Sequence, residues 1–261
     1  KKDIIEPIVI YSLGNQLNVN PLASVDSMDL EDRTAVRFRR IIREYLGYRI
    51  AKLSDAEALI IWLMEQANNG PYTMPQYREK AYQYLSEQKL EPFTPERTDR
   101  YIRSAIDKFE KQFFASITKQ LSSSVITLFD KLSLDKPDNE INQTEPKAIT
   151  EITLRHIKSD LAGVKLKHVA FEIKKLSILR RVSISASLFC GASRKVIQKY
   201  YQRIMAATQS NILEFIPNAR FASMACFSYI RSQLLTDNLA DLLIKLIHNL
   251  KTSAETHVNK K

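Results

Sequence analysis

The sequence predicts an all-α fold, and three observations carry the prediction. Glycine is scarce, 5 in 261 residues, while Leu, Ile, Lys, Arg, Glu and Gln are plentiful, a balance that favours helices over turn-rich β structure. Apolar residues recur at three- and four-residue steps, and no alternating strand pattern is readable. Start and stop signals for helices punctuate the chain. The expected organisation is a helical region over 1–134, a linker over 135–147 and a second helical region over 148–261.

Residues 1–20 read as part of a helix followed by a loop at Asn18-Val19-Asn20-Pro21, and 22–32 as a polar, acidic lead-in. Arg33 to Lys52 then reads RTAVRFRRIIREYLGYRIAK. At 100° per residue, Phe38, Ile41, Ile42, Tyr45 and Leu46 fall on one arc, predicted to anchor in a core. Arg33, Arg37, Arg39, Arg40 and Arg43 fall on the other, opposed only by Glu44. Gly47 stands where the helix should stop, in a left-handed C-terminal position.

Ser54-Asp55-Ala56-Glu57 reads as a capping box ahead of the apolar run Ala58 to Met64, with Trp62 in the core. Asn68-Asn69-Gly70-Pro71 breaks that helix. The next is expected over about 75–89, with Tyr77, Ala81, Tyr84 and Leu85 on one side. Thr94 and Pro95 are N-cap and first-turn residues of a long helix. Its inward face is Ile102, Ala105, Ile106, Phe109, Phe113 and Ile117, and Arg97, Arg100 and Arg103 gather in its first turns. Two helices joined by a short connection, the second basic at its start, resemble a helix-turn-helix.

The stretch DKPDNEINQTEPK, residues 135–147, has two prolines, no aromatic residue and almost nothing apolar, as a linker would. Beyond it helices are expected near 148–160, 166–181, 193–208, 212–233 and 237–259, the last two forming a hairpin with Thr236-Asp237 as the second start. Leu235, Leu239, Leu242, Leu246 and Leu250 mark its apolar stripe.

Charge is distributed unevenly. Residues 1–135 carry 19 Lys and Arg against 19 Asp and Glu, whereas 136–261 carry 20 against 10, which accounts for the net +10. Within 165–203 lie Lys165, Lys167, Lys174, Lys175, Arg180, Arg181, Arg194, Lys195, Lys199 and Arg203, with Glu172 their only acidic neighbour. So many like charges are costly to gather without an anionic partner, and a nucleic-acid backbone is the commonest extended one.

Other chemistry is thinly represented. Cys190 and Cys226 are too few for a disulfide framework and suit a reducing cytoplasm. His156, His168, His248 and His257 stand without ligands at metal spacing, and no glycine-rich phosphate loop occurs. No apolar run reaches the roughly 20 residues of a membrane span. The chain opens with Lys and closes in HVNKK without a helix stop, so it reads as a piece of something longer.

Six stretches in order carry a family resemblance: RTAVRFRRIIREYLGYR, LSDAEALIIWL and LEPFTPERTDRYIRSAIDKFEKQFF, then LKHVAFEIKKLSILRRV, ASRKVIQKYYQR and ARFASMACFSYIRSQLLTDNLADLLIKLIHNL. With these, the sequence resembles the amino-terminal part of Tn-three family transposases, the enzymes of replicative transposons. The resemblance implies a helical region that recognises terminal inverted-repeat DNA in a bacterial, nucleoid-associated setting. It implies no cofactor in this chain: the family's divalent metal and acidic catalytic triad belong to a ribonuclease-H-like domain beyond these residues. The expected DNA-facing residues are Arg33, Arg37, Arg39, Arg40, Arg43, Arg49, Arg97, Arg100, Arg103, Lys165, Lys167, Lys174, Lys175, Arg180, Arg181, Arg194, Lys195 and Lys199. The alternative expectation is a helical module for protein interaction or dimerisation that regulates the transposase.

Overall fold

A computed structural model describes residues 32–134, 152–160, 163 and 165–258. The expected elements over 1–31 and the linker over 135–147 lie outside the described residues. The fold is all-α. In chain order come α1 (Asp32–Leu46), α2 (Leu53–Asn69), α3 (Met74–Glu87), α4 (Pro95–Gln120), α5 (Ser123–Leu134), α6 (Leu154–Lys158), α7 (Leu166–Val182), a 3₁₀ turn (Ala186–Phe189), α8 (Arg194–Ala206), α9 (Gln209–Glu214) and α10 (Pro217–Val258).

The chain forms two compact units. The smaller joins α1 and the segment after it to Ser86–Glu91. Gly47, at φ +69°, ends α1 in the left-handed conformation that glycine adopts without strain, and the Tyr48 amide donates back to the Arg43 carbonyl at 2.8 Å. The chain then runs beside 89–91: the Arg49 amide donates to the Lys89 carbonyl and the Glu91 amide to the Arg49 carbonyl, both at 2.9 Å.

The larger unit holds residues 52–85 and those from 92 onward. Its core draws on both sides of the expected linker. Phe113, Phe114, Ile117, Phe129 and Leu132 pack in one cluster with Leu154, Leu176, Tyr200, Phe227 and Leu239. The first half of α10 is its axis: Ala222, Met224, Ala225, Cys226 and Phe227 are all fully enclosed, and α4, α7 and α8 pack around them.

Local signals hold in most places and shift in two. Thr94 caps α4, its hydroxyl accepting from the Arg97 amide at 3.4 Å. Ile102, Ala105, Phe113 and Ile117 are buried along α4 as expected. Trp62 is half-buried against Tyr84, with ring centroids 4.9 Å apart. The start of α2, however, lies earlier than the Ser54 box: the helix opens at Leu53, and Asp55 accepts from the Lys52 amide at 2.7 Å.

The second shift is larger. The expected hairpin over 212–259 is instead the short α9 followed by the single 42-residue helix α10. Thr236 does not cap a new helix, because its hydroxyl donates to the Ser232 carbonyl one turn back at 2.8 Å. A threonine hydroxyl bonded to the carbonyl four residues back is accommodated inside a helix, at a small cost, and between Pro217 and Val258 there is no glycine or second proline to interrupt it.

Candidate nucleic-acid interface

Helix α8 forms where its sequence says it should. Ser193 is the N-cap, its hydroxyl accepting from the Val196 amide at 3.3 Å. Val196, Ile197, Tyr200, Tyr201 and Ile204 are buried at three- and four-residue steps, and Tyr200 stacks on Phe113 at 5.2 Å and Tyr201 on Phe227 at 5.9 Å. The turn before the helix is fixed from α2. Asn68 donates through Nδ2 to the Gly191 carbonyl at 2.7 Å and accepts from the Ser193 amide at 3.1 Å.

What α8 leaves outside is Arg194, Lys195, Gln198, Lys199, Gln202 and Arg203, all exposed and none acidic. Lys199 donates to Glu110 of α4 at 2.9 Å, and the buried Tyr200 hydroxyl donates to the same carboxylate at 3.0 Å. Burial, more than that neighbouring charge, drives the Tyr200 phenol well above its ordinary range. Arg203 lies over the Phe215 ring at 4.2 Å.

On α7 the exposed cations are Lys167, Lys174, Arg180 and Arg181, with Lys165 just before the helix. Lys167, Lys174 and Arg181 are spaced by seven, so they form a row about 21 Å long at 1.5 Å per residue, drifting only about 20° per step.

Lys175 departs from the expectation. It is fully buried, and its ammonium donates to Glu172 at 2.7 Å and to the Ser159 carbonyl at 3.0 Å. It therefore faces the core and not a ligand. The physical reason is the C-terminal end of α6, whose last carbonyls lack partners inside the helix. Arg231 of α10 answers the same need: it is buried and donates to the carbonyls of Ile157 at 2.8 Å, Lys158 at 3.2 Å and Ser159 at 2.6 Å. Two cations thus close one short helix, where the dipole favours positive charge. Lys158 serves a different helix end, donating to the carbonyl of Ala207, the residue after α8, at 2.7 Å, and burial holds its ammonium below the usual lysine range.

On α4, Arg100 and Arg103 are exposed. Arg97 is held by its own helix, donating to the Tyr101 hydroxyl at 2.8 Å with its guanidinium 4.8 Å from the Phe93 ring. Nearby, Arg78 pairs with Asp99 at 2.8 Å, and that hydrogen bond holds the Asp99 carboxyl below its ordinary value.

The Arg-rich α1 is arranged differently. Arg37 and Arg39 are exposed, Arg40 pairs with Glu44 at 2.8 Å, and the half-buried Arg43 pairs with Glu91 at 2.7 Å. Arg49 is exposed and donates to the Ile50 carbonyl at 3.5 Å. Arg33 lies on the helix, with its side chain outside the described residues. The predicted anchor is not buried: Ile42 is 55% exposed and Tyr45 81%.

Gln198 and Gln202, uncharged and so outside the expected set, stand at four-residue steps from Arg194 on the exposed arc of α8. Among the described residues, no group of three or more His, Cys, Asp and Glu side chains could hold a metal ion. None of their helices is long and apolar enough to cross a membrane. Compared with family models and with curated proteins, the chain matches none.

Proposed function

We propose that this chain binds double-stranded DNA, as the end-recognition region of a replicative transposase whose target is the terminal inverted repeat. The observation that carries the reading is the exposed cation surplus of α7 and α8. Lys167, Lys174 and Arg181 line one face of α7, and the whole outer arc of α8 lacks an acidic residue. Solvated helix surfaces usually mix signs and gain from pairs four residues apart. Of the cations on α8, Lys199 alone has a carboxylate partner among the described residues, Glu110. Phosphates are the partners such a surface lacks, and contacts to them would fix the register of the protein on the duplex. The transposase assignment rests on the six sequence stretches quoted above.

The test is a fluorescence-anisotropy titration of a labelled inverted-repeat duplex, repeated between low and moderate salt. If about six phosphates are neutralised, log K falls against log salt with a slope of roughly −5. A binding curve that hardly moves with salt, or no binding at any salt, removes the reading. A dimer on size exclusion that ignores DNA would favour the interaction module instead.

A further inference from the structure

The outer arc of α8 consists of two parallel ridges. Arg194, Gln198 and Gln202 make one, and Lys195, Lys199 and Arg203 the other, each stepping by four residues. The ridges differ in how the fold treats them. In the cation ridge, Lys199 is tied to Glu110 at 2.9 Å and Arg203 rests on Phe215 at 4.2 Å. In the other ridge, Arg194, Gln198 and Gln202 are exposed and make no hydrogen bond or ion pair among the described residues.

We infer that α8 is the base-reading helix of the DNA interface, with Arg194, Gln198 and Gln202 contacting base edges and the cation ridge contacting phosphate. This rests on the DNA-binding reading above and specifies it. The three side chains of the reading ridge end in planar groups that present two hydrogen-bonding atoms in fixed geometry. Arginine matches the O6 and N7 acceptors of guanine in this way, and glutamine matches N6 and N7 of adenine. Lysine, a point charge, lacks that geometry.

The dimensions agree. A helix about 10–12 Å across enters a major groove about 12 Å wide. From Arg194 to Gln202 the ridge rises about 12 Å, the length of three to four base-pair steps. Base readout also demands a helix that does not shift in its seat. Tyr200 and Ile204 are fully buried beneath α8, and Asn68 holds its leading turn by two hydrogen bonds. Arg194 stands in the first turn, the part of a recognition helix that most often meets bases.

The experiment selects binding sites from a randomised duplex pool with the full chain, in parallel with two variants. In one, Gln198→Ala is combined with Gln202→Ala. In the other, Lys167→Gln, Lys174→Gln and Arg181→Gln are combined. The wild-type chain should enrich a defined motif. The glutamine variant should lose preference at one to three adjacent positions, by tenfold or more at each. Its salt slope and its affinity for unselected duplex should stay within twofold. The α7 variant should keep the motif while binding all sequences more weakly and with a shallower salt slope. All substituted positions are exposed, and unchanged helix content and melting temperature would confirm that both variants fold. If the glutamine variant enriches the same motif with the same weights, Gln198 and Gln202 do not read bases and the reading ridge is overturned, although the DNA-binding reading stands. Base reading by α8 is equally overturned if the wild type binds duplex in a salt-dependent way but enriches nothing. If the wild type binds no duplex at low salt, the DNA-binding reading fails first and takes this inference with it.

Discussion

Helices α1 and α8 share a pattern and differ in seating. Each has an apolar arc on one side and a cationic arc on the other. Beneath α8 the apolar arc is packed, with Tyr200 fully buried between Phe113 and Phe114. In α1 the side that meets protein among the described residues is the edge of the cationic arc, where Arg43 pairs with Glu91, while Tyr45 on the apolar arc is 81% exposed. The difference lies in what each helix has to pack against. α8 lies along the enclosed half of α10 and brings large aromatics to it. Among the described residues of its unit, α1 has beside it the segment that follows it and Ser86–Glu91, and Glu91 offers a carboxylate. Periodicity determines which residues share an arc; whether an arc is buried depends on the partner it meets.

The sharpest way to break this comparison is a pair of tyrosine truncations. Tyr200→Ala removes a fully buried ring and its hydrogen bond to Glu110, and should cost about 3–5 kcal/mol, read as a large drop in melting temperature. Tyr45→Ala on α1 should stay within about 0.5 kcal/mol, as for other exposed positions. Equal losses at the two sites would show that α1 is seated as firmly as α8.

A smaller effect tests how the leading turn of α8 is held. Asn68→Ala deletes two hydrogen bonds and should lower stability by about 1–2 kcal/mol, allowing for their partial exposure. Denaturant titration gives the value. Asn68→Asp keeps the acceptor for Ser193 but loses the donor to Gly191, and should fall between the two. If Asn68→Ala leaves the midpoint unmoved, the turn is fixed by the core alone.

The smallest expected effect depends on pH and bears on α6, the short helix closed by Lys175 and Arg231. His156 accepts from the Thr153 amide through Nδ1 at 3.2 Å, which requires that nitrogen to be unprotonated. Burial, then the charges of Lys175 and Arg155, push its pKa below the ordinary histidine value. A base with a lowered folded pKa binds fewer protons in the native state, so stability rises with pH. The penalty begins as pH falls below the unfolded value, about 6.5, and is complete once the folded value is passed. His156→Gln should flatten the dependence of melting temperature on pH in that window. An unchanged profile would place the responsible titration elsewhere.

The all-α class and most helix limits were legible because they depend on neighbours in sequence. Gly47 stops α1, Thr94 starts α4 and Ser193 starts α8, each through bonds spanning a few residues, and α2 stops at Asn69, next to Gly70. Legibility failed where the deciding partner is distant. Lys175 looked like one more surface cation, and beside its local partner Glu172 it is the carbonyl of Ser159, delivered from the end of another helix, that holds it in the core. Thr236 looked like a cap because Ser, Thr and Asp are capping types, yet the same hydroxyl serves the helix interior when the preceding carbonyl is within reach. The candidate site divides the same way. Its charge was visible in composition, whereas the division of α8 into an engaged ridge and an unengaged one depends on Glu110 and Phe215.

The continuity of α10 has a geometric consequence. At 42 residues it is about 63 Å long at 1.5 Å per residue. Leu235, Leu239 and Leu242 are gripped by the core, while Leu243, Ile244, Ile247 and Leu250 beyond them are exposed. No hinge separates the gripped part from the exposed part, so the azimuth of the outer stripe is inherited from the core like the phase of a screw thread. Inserting one residue after Leu242 would turn that stripe by about 100° and advance it about 1.5 Å, with every core contact of α10 left in register.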